Sequence, residues 1–298
     1  MRCPAALLAL SGLLGLAACA GSPPPSASRN PCQGKLGVEG RAEGTRIALE
    51  AWNDCHVPVL LHLSLELDNL RASRALPAEI AVPPGRRVHA LDLEVVRPDR
   101  PSGYRAASQV QVGGAPHPDS AARYAFPFGG GAPRKLSQGV GGDETHQGVH
   151  HYSFDFELPL GTPVLAARDG VVFQVMDGYG EGGKRVGVKR GNAVVIFHDD
   201  GTFGLYGHLR KGVCAREGEA VRAGDFLAWS GNSGYTTGPH LHFAVGVAPS
   251  AGGEIETIPI LFAGDVVPEK NGVYGPGPTG ARAAPPGSRC DGAGARDS

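Results

Sequence analysis

Apolar and polar positions along this chain alternate in short runs, and few stretches repeat at helical spacing. Val57–Leu67 and Arg87–Val95 alternate in this way, separated by Pro83-Pro84-Gly85, a turn signal. They predict a small antiparallel β-sandwich over residues 32–112. A second set of strand-like runs follows at Pro163–Ala166, Gly170–Val175, Ala193–Phe197, Phe203–Tyr206, Phe226–Trp229 and His242–Val247, and predicts a compact antiparallel sheet. Between the two sets, residues 113–142 read as a Gly-rich connector, and 143–266 as the second domain. Beyond Val267 the chain is dominated by Gly, Pro, Ala and Arg, so 267–298 reads as a disordered tail. The expected class is mainly β.

The amino terminus has a different pattern. Arg2 precedes an apolar stretch from Ala5 to Ala18, long enough for a secretory signal and short for a membrane span. Its end, Leu16-Ala17-Ala18-Cys19, resembles a bacterial lipoprotein signal, which makes 1–18 the signal and Cys19 the lipidated first residue. The alternative is a plain signal peptide with an incidental cysteine. Residues 19–31, rich in Pro and Ser, then read as anchor and flexible tether. Ala20 follows where an aspartate would resemble an inner-membrane retention signal, so the expected place is the periplasmic face of the envelope, at the outer membrane.

Composition narrows the chemistry. Formal net charge is −1, which gives no reason to expect a nucleic-acid partner. The six cysteines fall to four once Cys3 leaves with the signal and Cys19 is lipidated. Three pairings of Cys32, Cys55, Cys214 and Cys290 remain open in an oxidising compartment. Cys32 with Cys55 is favoured because both fall in one small domain. No Cys-x-x-Cys spacing suggests a cysteine metal site, and there is no nucleophile elbow, phosphate loop or dinucleotide fingerprint.

The candidate chemistry lies in histidines. His240 and His242 are separated by one residue at the start of a strand, so both reach one face. Upstream stand His146, His150, His151 and Asp155, with His208 between. Asp155 sits between Phe154 and Phe156 in an apolar run, where an unpaired carboxylate would be costly. A lone histidine is commonly a satisfied core residue, but this set is not lone. Three nitrogen or oxygen ligands with a fourth position open to water make a catalytic zinc site.

The order of these pieces resembles the lysostaphin/LytM-type peptidoglycan endopeptidases over roughly residues 124–263. Beyond the metal residues, the matching segments are Leu160–Val172, Gly191-Asn192, His198–Thr202, Val221–Asp225 and Ser230-Gly231-Asn232. The resemblance implies a highly twisted two-layer β domain of the duplicated hybrid motif type, Zn2+ as cofactor, and hydrolysis of peptide bonds in peptidoglycan cross-links. It implies Asp155 and His242 as zinc ligands, with His146 and His151 competing for one further place. His151 has the family's His-x-x-x-Asp spacing, although Ser153 stands where glycine is usual. His146 fits a branch with the ligand farther upstream, and the balance leans to it. His240 is then the implied general base, with His208 serving the oxyanion or the leaving amine. Tyr206 is a further possible donor or a packed aromatic, and the loop Asp177–Arg190, with Lys184, Arg185, Lys189 and Arg190, is a candidate groove wall or a solvated charged loop.

Two other roles stay open, a non-catalytic regulator and a secreted metalloprotease that attacks protein substrates or rival cells, the latter disfavoured by the lipid-anchor signal. Some relatives keep the fold and act as non-catalytic regulators of wall hydrolases. The N-terminal domain shows no catalytic pattern, so spacing, substrate positioning or binding of an envelope protein partner is expected of it.

Overall fold

The structure is a computed structural model and describes residues 31–180, 182, 191–249 and 254–278. The signal, Cys19, nearly all of the tether, the run 183–190 and Cys290 lie outside them. The chain forms two compact units, one holding residues up to Cys55 with Leu60–Val110, the other His56–Val59 and the chain from Gln111. No helix among the described residues is long and apolar enough to cross a membrane.

The first unit contains β1 (Leu36–Glu43), β2 (Arg46–Asn53), β3 (Val59–Asp68), β4 (Leu70–Ala72), β5 (Ala78–Val82), β6 (Arg86–Val95) and β7 (Gly103–Val112). They form two sheets, β1-β2-β6-β4 and β5-β3-β7. Alternation produces the buried sides: Leu49 and Ala51 of β2, Val59, Leu61 and Leu63 of β3, and Ala78, Ile80 and Val82 of β5. In β6 the adjacent Ala90 and Leu91 are both buried, because the β2–β6 register shifts there and inserts one residue. Asn53, fully buried, donates to the Val82 carbonyl at 2.9 Å and accepts from the Cys55 N–H at 2.8 Å. Cys32 and Cys55 are joined by a disulfide.

The second unit contains β8 (Arg123–Tyr124), β9 (Arg134–Gln138), β10 (Ser153–Phe156), β11 (Pro163–Leu165), β12 (Gly170–Met176), β13 (Asn192–Phe197) and β14 (Phe203–Leu209). It continues with β15 (Ala220–Val221), β16 (Phe226–Trp229), β17 (Leu241–Val247), β18 (Glu256–Thr257), β19 (Leu261–Phe262) and β20 (Val273–Tyr274). A 3-10 turn covers Gly148–His150. The main sheet runs β15-β12-β13-β14-β17-β10-β9-β20, with β18 added to β17. The pairs β11–β16 and β8–β19 form two small sheets, and the core between includes Phe128, Phe154, Phe156, Tyr206, Phe243 and Phe262. Cys214 is disulfide-bonded as well.

Two segment expectations need correction. The Gly-rich stretch 113–142 supplies β8 and β9, because its apolar residues Tyr124, Phe128 and Leu136 are buried in this core. The stretch assigned to a disordered tail is ordered as far as residue 278: β20 pairs with β9, and Tyr274 stacks on Phe126 with centroids 5.4 Å apart. Glycine and proline content hid a few aromatic anchors in both.

His198, at the end of β13, is fully buried beneath the turn to β14. Its Nδ1 donates to the Asp169 carbonyl at 2.7 Å, while its Nε2 is buried with no partner. Burial pushes its pKa down to about 4. The unfolded chain therefore takes up a proton near pH 6.5 that the folded chain refuses until about pH 4, and stability falls as pH drops through that window. His198→Phe is expected to make the pH dependence of urea unfolding free energy between pH 6.5 and 4 shallower, removing a contribution on the order of a few kcal/mol. An unchanged slope would assign the acid sensitivity elsewhere.

Candidate metal site

The site begins with a strand register. β10 and β17 run antiparallel with Asp155 directly opposite His242. On the far side of β17, Gly207 of β14 faces His242, and a Cβ there would sit 3.3 Å from the His242 Cβ. The missing side chain leaves the imidazole room. His240 precedes β17 by one residue and lies two before His242, so it joins the same region.

Ligand atoms of His146, Asp155 and His242 all lie within 4.8 Å of one another. His242 Nδ1 is 2.9 Å from Asp155 Oδ1, and His240 Nε2 is 3.8 Å from the same oxygen. His146 is fully buried; its Nδ1 donates to the Gly139 carbonyl at 2.7 Å. Its Nε2 lies 3.2 Å from Asp155 Oδ1 but makes no hydrogen bond, leaving a buried lone pair without a partner. Burial alone would raise the Asp155 pKa, but the neighbouring His146 and His242, in their protonated forms, hold its carboxyl well below the usual carboxylate range. An ionised carboxylate, an orphaned imidazole nitrogen and a second imidazole fit a divalent metal. The Gly139 carbonyl behind His146 is the outer partner that a ligating histidine takes.

The two candidates for the first ligand are placed differently. His146 is in the cluster. His151 lies in the turn before β10, exposed, its ring edge-on to Tyr152, and its carbonyl accepts the Gly141 N–H. Even spacing put His151 on the Asp155 face only if the strand reached it, and β10 begins at Ser153. His150 sits at the surface, 3.5 Å from Glu254.

His208 and His240 stand beside the cluster, their ring centroids 4.4 Å apart. His208 Nδ1 donates to the Ser233 carbonyl at 2.8 Å and His240 Nδ1 to the Gly238 carbonyl at 2.8 Å. In both rings this network places the proton on Nδ1 and the lone pair on Nε2. His208 has φ +59, a left-handed conformation that costs a non-glycine residue energy and is found where a side chain must be aimed. Burial and the neighbouring His240 and His242 push its pKa down to about 4. Tyr206 is a core aromatic: fully buried, it packs on Phe243 and its hydroxyl accepts the Ala167 N–H.

Gln138 is the residue of the candidate site that the sequence did not reveal. It pairs with Asp155 across β9 and β10. Its Nε2 donates to Asp155 Oδ2 at 2.9 Å and to Thr145 Oγ1 at 2.8 Å, while its Oε1 accepts the N–H groups of Glu144 and Thr145. One side chain thus occupies the carboxylate oxygen turned away from the histidines and ties down the loop that delivers His146. Gly142 permits this, since a Cβ there would collide with the Gln138 side chain. In sequence Gln138 is only a polar residue ending an alternating run.

Comparison with known proteins finds relatives of part of the second unit. Residues 149–252 match the model of Peptidase family M23. Over 98 residues the chain is 39% identical to the glycyl-glycine endopeptidase ALE-1 of Staphylococcus capitis, covering 32% of this chain and 24% of that one. Over 93 residues it is 39% identical to the peptidoglycan DD-endopeptidase ShyA of Vibrio cholerae, covering 31% and 19%. Among solved structures, the catalytic domain of the prophage-encoded M23 protein EnpA from Enterococcus faecalis aligns at 27% identity, over 45% of this chain and 93% of that chain, with a TM-score of 0.35. The matched region is a Peptidase family M23 domain, homologous to the lysostaphin/LytM-type peptidoglycan endopeptidases. The chain spans a quarter or less of the length of these curated relatives.

Gln138→Leu removes every bond of the clamp and leaves Asp155 Oδ2 and two loop N–H groups unpaired. It is expected to cost about 1–3 kcal/mol in urea unfolding and to speed hydrogen exchange at Glu144 and Thr145. Unchanged exchange at both amides would show that Gln138 does not hold the loop.

Proposed function

We propose that the chain is a zinc-dependent endopeptidase that hydrolyses peptide bonds in peptidoglycan cross-links. The observation carrying this reading is the buried, unpartnered Nε2 of His146 beside Asp155 and His242. Two imidazoles and one carboxylate suit zinc, and a three-ligand set leaves a position for reaction. His146, Asp155 and His242 would hold the ion. When bound, zinc supplies Lewis-acid chemistry, polarising a peptide carbonyl and acidifying water.

The remaining chemistry belongs to the two free imidazoles. His240, with Nδ1–H fixed on Gly238, presents the Nε2 lone pair as base for the attacking water. His208, neutral and fixed on Ser233, becomes a donor only after it gains a proton, so its part comes late, at the leaving amine. We further assign the protein to the cell envelope, anchored by lipid at Cys19 and facing the periplasm, with the N-terminal β-sandwich free to engage an envelope protein partner. The amino-terminal sequence pattern supports this placement.

The test combines zinc content with mass spectrometry of muropeptides released from purified peptidoglycan. One zinc per chain and cleavage of cross-linked dimers are expected for the wild type. Asp155→Ala and His242→Ala lose both. His240→Ala keeps zinc and loses roughly 10²–10⁴-fold in rate. His146→Ala loses zinc, and His151→Ala keeps zinc and activity. Zinc without cleavage would replace the enzyme reading with that of a regulator.

A further inference from the structure

His208 reaches the site against the ordinary alternation of its strand. Tyr206 and Leu209 of β14 both lie in the core, although they are three positions apart and a period of two would put them on opposite faces. The pairing with β13 shows how. Val194 faces Tyr206 but Asn192 faces Leu209, so β14 holds one residue more than β13 between these pairs. Gly207 and His208 share that interval. Gly207 faces His242 of β17, and His208, with φ +59, turns its ring to the same site, 4.4 Å from the His240 ring and 6.0 Å from the His242 ring between centroids. The irregularity is a β-bulge that aims one imidazole.

A left-handed residue other than glycine is strained and persists only where its surroundings hold it. Here two buried side chains grip the carbonyl that follows it. The Ser233 hydroxyl accepts the Asn192 N–H at 2.9 Å and donates to the Leu209 carbonyl at 2.7 Å, bridging the strands at the bulge. The Asn192 amide donates to the same carbonyl at 3.0 Å. Tyr179 fixes that amide from the other side, its carbonyl accepting from Asn192 Nδ2 and its N–H donating to Oδ1. The Gly231 N–H donates to the His208 carbonyl at 3.1 Å, and a Cβ on Gly231 would collide with the Arg210 backbone, so the loop fits the bulge closely.

We infer that Ser233 and Asn192 are positioning residues: they fasten a one-residue bulge that turns His208 from the core face of β14 to the metal site. The consequence for catalysis rests on the peptidase reading, whereas the placement of the ring does not.

The experiment compares wild type, Ser233→Ala, His208→Ala and the double variant in the full chain. Ser233→Ala removes the bridging hydroxyl but keeps the main-chain carbonyl that accepts from His208 Nδ1. Ring placement is read in zinc-free protein as the nuclear Overhauser effect between the His208 and His240 rings, and zinc content and muropeptide release are read in loaded protein. Ser233→Ala is expected to lose most of the Overhauser effect, keep its zinc, and lower kcat roughly 10- to 100-fold with KM little changed. In the His208→Ala background it costs no further rate, because it acts through a ring that is gone. Asn192→Ala, which removes the second bond to Leu209, shifts the Overhauser effect in the same direction, and circular dichroism checks that each variant folds. An Overhauser effect that survives in folded Ser233→Ala and Asn192→Ala, or a rate loss from Ser233→Ala that is equal with and without His208, overturns the inference. Wild type that cleaves no wall peptide removes the peptidase reading, and loss of the Overhauser effect in Ser233→Ala then still sustains the placement of His208.

Discussion

The register between β10 and β17 is the constraint on which the site depends. Side chains alternate across a strand, so a slip of one residue would send Asp155 and His242 to opposite faces. The other face of the same strands prevents that slip. There Phe154 faces Phe243 and Phe156 faces Leu241, all of them buried. Each such side chain contributes about 1.5–3 kcal/mol on burial, and all are lost together if the register moves. The core therefore holds Asp155 and His242 in place from behind, while Gly207 on the next strand leaves the space in which the His242 ring stands.

Electrostatics builds on that register. Asp155 is 6% exposed, an expensive place for a negative charge, and it remains ionised because His242 Nδ1 and Gln138 Nε2 donate to its two oxygens. Three imidazoles of the site are oriented in turn by main-chain carbonyls from two loops: Gly139, after β9, for His146, and Ser233 and Gly238, both between β16 and β17, for His208 and His240. Each carbonyl takes the Nδ1 proton and leaves Nε2 bare. Backbone rather than side chains sets the tautomers, so the site is organised before any ligand arrives.

This explains which parts were legible in the sequence. Strand positions of the second domain could be read closely, since apolar runs such as Ala193–Phe197 match β13 and Phe226–Trp229 matches β16. His240 and His242 were visible as a local pattern because two residues suffice to place them on one face. Choosing between His146 and His151 was beyond local pattern: it turned on where β10 begins, and on a loop whose shape Gln138 determines from another strand. Gln138 itself carried no signal, because its meaning comes from pairing with Asp155, a contact between strands of different sequence neighbourhoods. Glycine-rich composition concealed β8, β9 and β20, where single aromatics such as Tyr124 and Tyr274 supply the anchoring that a longer apolar run would otherwise announce.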